Sequence, residues 1–165
     1  MVNIEIDINP FEVLIAKKMI KEFDETKIFN KFVCKTNYIG LLGEIVFKRY
    51  LKEHNIEHEW IKFIKQNWNT PDFIIGGKTI DLKTTYSADM WVQQPKFDIY
   101  LYAQISKDDT LLTIKGWVTK SYLEEGIKSA KIRQVKRDSR VDYVIPTRQM
   151  LSLTWLSGVL SPTTL

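Results

Sequence analysis

Apolar positions recur along this 165-residue chain with two different periods, and each period marks a different kind of element. Asn9-Pro10 offers a helix start, and Phe11, Leu14, Ile15, Lys18 and Met19 then form a helical stripe that runs to about Phe23. Residues 38 to 53 repeat that spacing through Tyr38, Leu41, Leu42, Ile45, Val46 and Tyr50, and Glu53-His54-Asn55 ends the pattern. From Ile56 onward Trp60, Ile61, Phe63 and Ile64 read as a strand. Phe73 to Ile75 and Thr79 to Thr84 read as two more, joined by Gly76-Gly77. Residues 86 to 95 hold at most a short helix before Pro95. FDIYLYAQI (97 to 105) and LLTIKGWV, joined by Lys107-Asp108-Asp109, form a hairpin. SYLEEGIK suggests a short helix ended by Gly126, DYVIP a strand closed by Pro146, and TRQMLSLTWL a last helix. The pattern predicts one α/β domain over residues 1 to 165, a central mixed sheet flanked by helices, with a tail from about residue 157.

Composition narrows the class. With 44% apolar and 27% charged residues the chain belongs with folded globular proteins, and no apolar run reaches the length of a membrane span. The early acidic residues of MVNIEIDIN, with no basic stretch leading into an apolar run, lead us to expect no signal peptide, and Cys34, the single cysteine, excludes an internal disulfide. A cytoplasmic protein without membrane contact is expected. The net charge of +4 is small, but its distribution is uneven. Lys128, Lys131, Arg133, Lys136, Arg137 and Arg140 crowd into one stretch with Asp138 as the lone acid.

The stretch PDFIIGGKTIDLKTT, residues 71 to 85, concentrates charge on a hairpin. A two-residue glycine loop pairs Ile75 with Lys78, Ile74 with Thr79 and Phe73 with Ile80, and the next step outward sets Asp72 opposite Asp81. Directly opposed side chains lie roughly 4.5 to 5.5 Å apart, and like charges there are destabilising. Lys83 shares the face of Asp81, while Ile80 and Leu82 point the other way. Two aspartates so placed form a hard oxygen site suited to Mg²⁺. An exposed edge hairpin whose charges discourage aggregation would show the same residues.

Pro71-Asp72, eight residues, then Asp81-Leu82-Lys83 resembles the motif of the PD-(D/E)XK nuclease superfamily, also called restriction-endonuclease-like. An acidic residue on a preceding helix completes the site in that family, and Glu44 in GLLGEIVFKRYL matches it in type, order and distance. The resemblance covers roughly residues 38 to 118 and extends, more loosely, to a short helix and a hairpin after the motif strand. It implies a restriction-endonuclease-like core in which Asp72, Asp81, the Leu82 carbonyl and Glu44 bind Mg²⁺ or Mn²⁺. It implies that Lys83 orients or deprotonates the attacking water and stabilises negative charge. The implied activity is metal-dependent DNA phosphodiester hydrolysis, endonucleolytic, in a restriction, repair, junction-resolving or phage role, with a homodimer by analogy. The alternative is a catalytically inactive nucleic-acid-binding or scaffold protein of the same fold.

Other residues have two readings each. Glu44 could instead pair with Lys48 four residues on, as an ordinary helix-surface ion pair. Gln104 falls on the strand face of Tyr100 and Tyr102, in reach of the site if that strand neighbours the motif strand, or is a satisfied surface amide. His54 and His58 do not complete a zinc site. The basic run from Lys128 to Arg140 is the candidate for phosphate contacts with DNA, against a merely solvated face. Tyr86 and Trp91 are candidates for base stacking, against core or interface packing.

Overall fold

The computed structural model describes residues 3–25, 31–61, 70–137 and 140–152, and the side chains of all of these except 23–25, 31–37, 137 and 140. A six-stranded mixed sheet forms the centre, in the order β1 (Ile4–Asp7), β7 (Leu111–Thr119), β6 (Ile99–Ile105), β4 (Lys78–Thr85), β3 (Phe73–Ile75) and β2 (His58–Trp60). Only β4 and β6 pair in parallel within it; the other neighbours are antiparallel. The expected α/β class with a central mixed sheet is therefore what the chain forms.

Two helices, α1 (Pro10–Glu25) and α2 (Lys31–Glu53), lie on one face of this sheet. Leu41, Leu42, Val46, Phe47 and Leu51 of α2 are buried against Phe73, Ile75, Ile80 and Leu82, each large side chain contributing about 1.5 to 3 kcal/mol by burial. Phe47 meets Phe73 edge-on at 5.3 Å between ring centroids. Asn55 takes the left-handed conformation (φ 55°) that ends α2, and the Ile56 N–H donates back to the Leu51 carbonyl at 2.9 Å.

The orientation of α1 departs from its apolar stripe. Phe11, Leu14 and Ile15 are 70%, 61% and 49% exposed, whereas Glu12 and Ala16 are buried. The reason is local and ionic. Asn9 Oδ1 accepts the Phe11 N–H, Glu12 Oε2 accepts the Asn9 N–H at 2.8 Å, and Arg49 of α2 donates to Glu12 Oε1 at 2.9 Å. That cap and ion pair turn Glu12 inward, and Ala16 is small enough to let the two helices approach.

A second sheet covers the opposite face, in the order β5 (Asp89–Val92), β9 (Arg140–Pro146) and β8 (Arg133–Arg137). Here and in β1, the structure corrects the sequence reading in five places. Residues 86 to 95 form no helix: Met90 and Val92 are buried, and β5 pairs with β9 from Asp89↔Pro146 to Val92↔Tyr143. Strand β8 was not expected from its basic sequence, and β1 was overlooked although Ile4 and Ile6 alternate with Glu5 and Asp7. Helix α3 (Lys120–Lys128) runs through Gly126 and stops at Ala130, whose φ is 56°; a side chain at Gly126 would collide with Ile132. The expected last helix is a 3₁₀ turn over Thr147–Gln149, after which Leu151 bridges to Trp117 of β7. The rest of that segment, the expected strand residues Phe63 and Ile64, and the tail lie outside the described residues.

Candidate active site

The β3–β4 hairpin has the two-residue loop that its glycines allow. Gly76 and Gly77 have φ of 56° and 73°, and the register runs Ile75↔Lys78, Ile74↔Thr79 and Phe73↔Ile80. The ladder stops there. Leu82 thus has no partner strand on that side, and Asp72 Oδ2 accepts the Leu82 N–H at 2.7 Å. The Asp72 N–H donates to the Ile80 carbonyl at 3.0 Å. Asp72 is fastened across the hairpin by both its backbone and its carboxylate.

On β4, Ile80 and Leu82 belong to the core beneath α2, so Asp81 and Lys83 project from the other face. Lys83 Nζ lies 2.6 Å from Asp81 Oδ2. The Asp81 oxygen is buried and has no aligned hydrogen-bond donor, so this contact is an ion pair rather than a well-formed hydrogen bond. Burial pulls the Lys83 ammonium toward neutrality, but the attraction of Asp81, with Asp72 behind it, outweighs burial and leaves its pKa raised. Asp72 and Asp81 are 9% and 6% exposed, too little for water alone to neutralise their charge.

Glu44 approaches from the helix side. It is 4% exposed, and its Oε2 accepts the Trp60 indole N–H at 3.0 Å. Lys48 places its ammonium over the same indole ring, 4.4 Å from the centroid. Trp60 pairs with Phe73, and the Ile61 N–H donates to the Asp72 carbonyl at 3.0 Å, which sets Trp60 at the Asp72 end of the hairpin. Glu44 does not join Asp72 and Asp81 in one cluster: among the described residues no three His, Cys, Asp or Glu side chains converge as metal ligands.

Strand β6 lies beside β4 in parallel, with Asp81↔Tyr100, Lys83↔Tyr102 and Thr85↔Gln104. Gln104 therefore shares the charged face, two positions beyond Lys83, and its amide donates to the Tyr86 carbonyl at 3.3 Å. Tyr100 is the neighbour of Asp81. Its buried hydroxyl accepts the Lys96 N–H at 2.6 Å, and burial, with the Asp81 charge adding, raises its pKa. Tyr86 is exposed, and its hydroxyl donates to Asp109 Oδ1 at 2.8 Å, while the Tyr38 hydroxyl donates to Asp109 Oδ2 at 2.9 Å. Trp91 is half-buried in β5 opposite Val144. Both aromatics are thus built into the fold; Tyr86 alone of the two is open to solvent.

In the basic run, Lys128 closes α3, Lys131 follows it, and Arg133 and Lys136 stand on β8; all four are exposed. Arg137 and Arg140 hold directly paired positions where β8 meets β9. His54 and His58 turn Nδ1 to the carbonyls of Tyr50 and Ile56, at 2.9 and 2.7 Å. Two supports escaped the sequence reading. Trp60 looked like an ordinary strand aromatic, and Gly43 carried no local signal, yet a side chain at Gly43 would run into Thr84 of β4.

No family model and no curated protein matches this sequence. Among solved structures, D212, a nuclease from a fusselovirus, superposes with a TM-score of 0.44 and 14% identity, over 81% of this chain and 94% of that one.

Proposed function

We propose that the chain is a nuclease of the PD-(D/E)XK type, a metal-dependent hydrolase that cuts DNA phosphodiester bonds endonucleolytically. The observation that carries this reading is the buried Asp72 and Asp81 pair with the half-exposed Lys83 on one glycine-turned hairpin, Lys83 Nζ lying 2.6 Å from a carboxylate oxygen that has no aligned donor. The donors suit a hard divalent cation, because Mg²⁺ is commonly held by one or two carboxylates with water at its other positions. Asp72, Asp81 and the Leu82 carbonyl would hold Mg²⁺ or Mn²⁺, with Glu44 acting from farther out through water. When bound, the cation supplies a water acidic enough to attack near neutral pH and offsets charge on the phosphoryl group.

The protein groups divide the remaining work. Asp72, tied to the Leu82 N–H, keeps its carboxylate at the end of the ladder. Lys83 presents an ammonium to the scissile phosphate, orients the attacking water and stabilises the charge that develops as the bond breaks. Trp60 restrains Glu44 through its indole. Gln104 lines the same strand face, Lys128, Lys131, Arg133, Lys136, Arg137 and Arg140 supply phosphate contacts, and the exposed Tyr86, at the end of β4, offers a stacking surface. A homodimer in the cytoplasm completes the proposal; among the described residues no helix is long and apolar enough to cross a membrane.

That no three candidate ligands converge among the described residues favours a second reading, a catalytically inactive nucleic-acid-binding or scaffold protein of the same fold. One assay separates the two: supercoiled, linear, branched and single-stranded DNA incubated with Mg²⁺, Mn²⁺ or EDTA, beside Asp81→Ala. Cutting that needs the metal and Asp81 is the expected result. Cutting in EDTA, or full activity in the variant, overturns the mechanism; binding without cutting on every substrate favours the second reading.

A further inference from the structure

Helix α1 is apolar on two sides. Val13, Met19 and Ile20 pack against the main core, and Ala16 lies within it. Phe11, Leu14 and Ile15 stand on the other side, and they are half of the large apolar side chains exposed among the described residues. At spacings of three and four they form one patch on the helix surface. A helix that is apolar all round belongs in an interior. Here the core covers one side and leaves the other open. Charge along the open side changes sign. Glu5 and Asp7 are exposed just before the helix, and Lys17, Lys18 and Lys21 are exposed in its second half. Lys18 has a loose contact with Glu22 at 4.0 Å, and none of the ion pairs among the described residues engages Glu5, Asp7, Lys17 or Lys21.

We infer that this side of α1 docks on the same side of α1 in a second copy of the chain, the two helices antiparallel about a two-fold axis between Leu14 and Ile15. Leu14 of one copy then meets Ile15 of the other. Phe11 comes under Lys18 of the other copy, whose stem covers the ring and whose ammonium faces it. The charges select that direction. Antiparallel copies bring the Glu5 and Asp7 end of each to the lysines of the other, whereas parallel copies set lysine against lysine. An anionic lipid surface would attract the lysines but repel the two acids. The contact is isologous, so it closes at two subunits. Its size sets its strength: the exposed parts of Phe11, Leu14 and Ile15 amount to roughly 350 Å² per copy, below the range of tight complexes. A Kd on the order of 10 µM is expected, and below it the chain is a folded monomer with Leu14 on its surface. The homodimer proposed above thereby gains a surface on the helix side of the sheet, one that does not depend on whether the chain cuts DNA.

The test is sedimentation equilibrium of the full chain in EDTA, at protomer concentrations roughly tenfold below and tenfold above the expected Kd. A monomer is expected at the lower concentration and a dimer at the upper. Leu14→Glu and Leu14→Lys each place like charges at the centre of the contact and are each expected to weaken pairing at least about tenfold, with melting at the lower concentration unchanged. Mixed one to one, the two variants are expected to pair again, at least about tenfold more tightly than either alone. Such recovery is particular to a surface that meets itself. Should either variant melt early, Ile15→Ser is read in its place, with the same loss expected. A natural chain that stays monomeric at the upper concentration, a folded variant that dimerises as well as it does, or a mixture that stays monomeric overturns the pairing. Binding of a monomeric chain to vesicles with anionic headgroups, lost in Leu14→Glu, overturns it in favour of a lipid surface. Cleavage is scored apart: a chain that pairs as expected but never cuts sinks the nuclease reading and spares this one.

Discussion

Asp81 holds a buried carboxylate oxygen whose near neighbour is the Lys83 ammonium at 2.6 Å, with Asp72 bonded to the next backbone N–H along the strand. Lys83 offsets one of the two carboxylate charges, and a divalent cation at Asp72 and Asp81 would carry the group from one net negative charge to one net positive charge, the sign that attracts a phosphodiester. A ligand that binds only the folded state stabilises it by mass action, about 2.7 kcal/mol at a hundredfold excess over its Kd. Mg²⁺ is accordingly expected to raise the melting temperature of the natural chain and to leave that of Asp81→Ala unmoved; calorimetry with and without EDTA reads this independently of any cleavage. An equal shift in both proteins would place the ion elsewhere. Asp72, Asp81 and Lys83 were legible as candidates before the structure because a strand alternates with a period of two, whereas the two-residue length of the Gly76-Gly77 loop was only supposed from sequence and is given by the register Ile75↔Lys78. Glu44 was legible as a candidate but its surroundings were not, since the Trp60 indole reaches it from 16 residues away in sequence.

Among the elements, α1 is the one whose packing contradicts its pattern. With Leu14 exposed and Ala16 buried, Leu14→Gln is expected to change stability by no more than about 0.5 kcal/mol. Ala16→Gln, which forces a long amide into the contact with α2, is expected to cost about 1 to 3 kcal/mol in urea denaturation. The opposite ranking would restore the apolar stripe as the buried face. The turn between β6 and β7 contributes a pH dependence. Burial and a hydrogen bond to Asp109 push the Tyr86 phenol from 10.0 up to about 12, and Tyr38, on the same carboxylate, is raised as well. Between those values the folded chain binds more protons than the unfolded one, so stability falls as pH rises from about 10 through about 12. Tyr86→Phe is expected to weaken that alkaline loss without altering the behaviour near neutrality, as melts at pH 8 and pH 11 would reveal. A variant as alkali-sensitive as the natural chain would mean the Tyr86–Asp109 bond does not form in solution.

At the scale of the whole molecule, one seam joins the helix layer to the strand that carries the charge. Gly43 of α2 rests on Thr84 of β4, where a methyl group would collide, and Glu44 is the next residue. Gly43→Ala is therefore expected to destabilise the fold by about 1 to 3 kcal/mol, despite alanine's better helix propensity, and to move Glu44 relative to Trp60. Chemical denaturation reports the first effect, and the quench of tryptophan fluorescence reports the second. The β3–β4 and β6–β7 hairpins, the strand that bears Asp81 and Lys83, and helix α2 from residue 38 onward follow from sequence alone, because their causes lie within a few residues: periodicity, glycine conformations and end signals; the first turns of α2, from Lys31, do not. The rotation of α1, the conversion of residues 86 to 95 into a strand, and the pairing of the basic run as β8 required tertiary structure. In each of these the deciding partner is distant in the chain: Arg49 for Glu12, β9 for β5 and for β8. Local pattern specifies which residues share a face; only the assembled layers determine which face is buried, and against what.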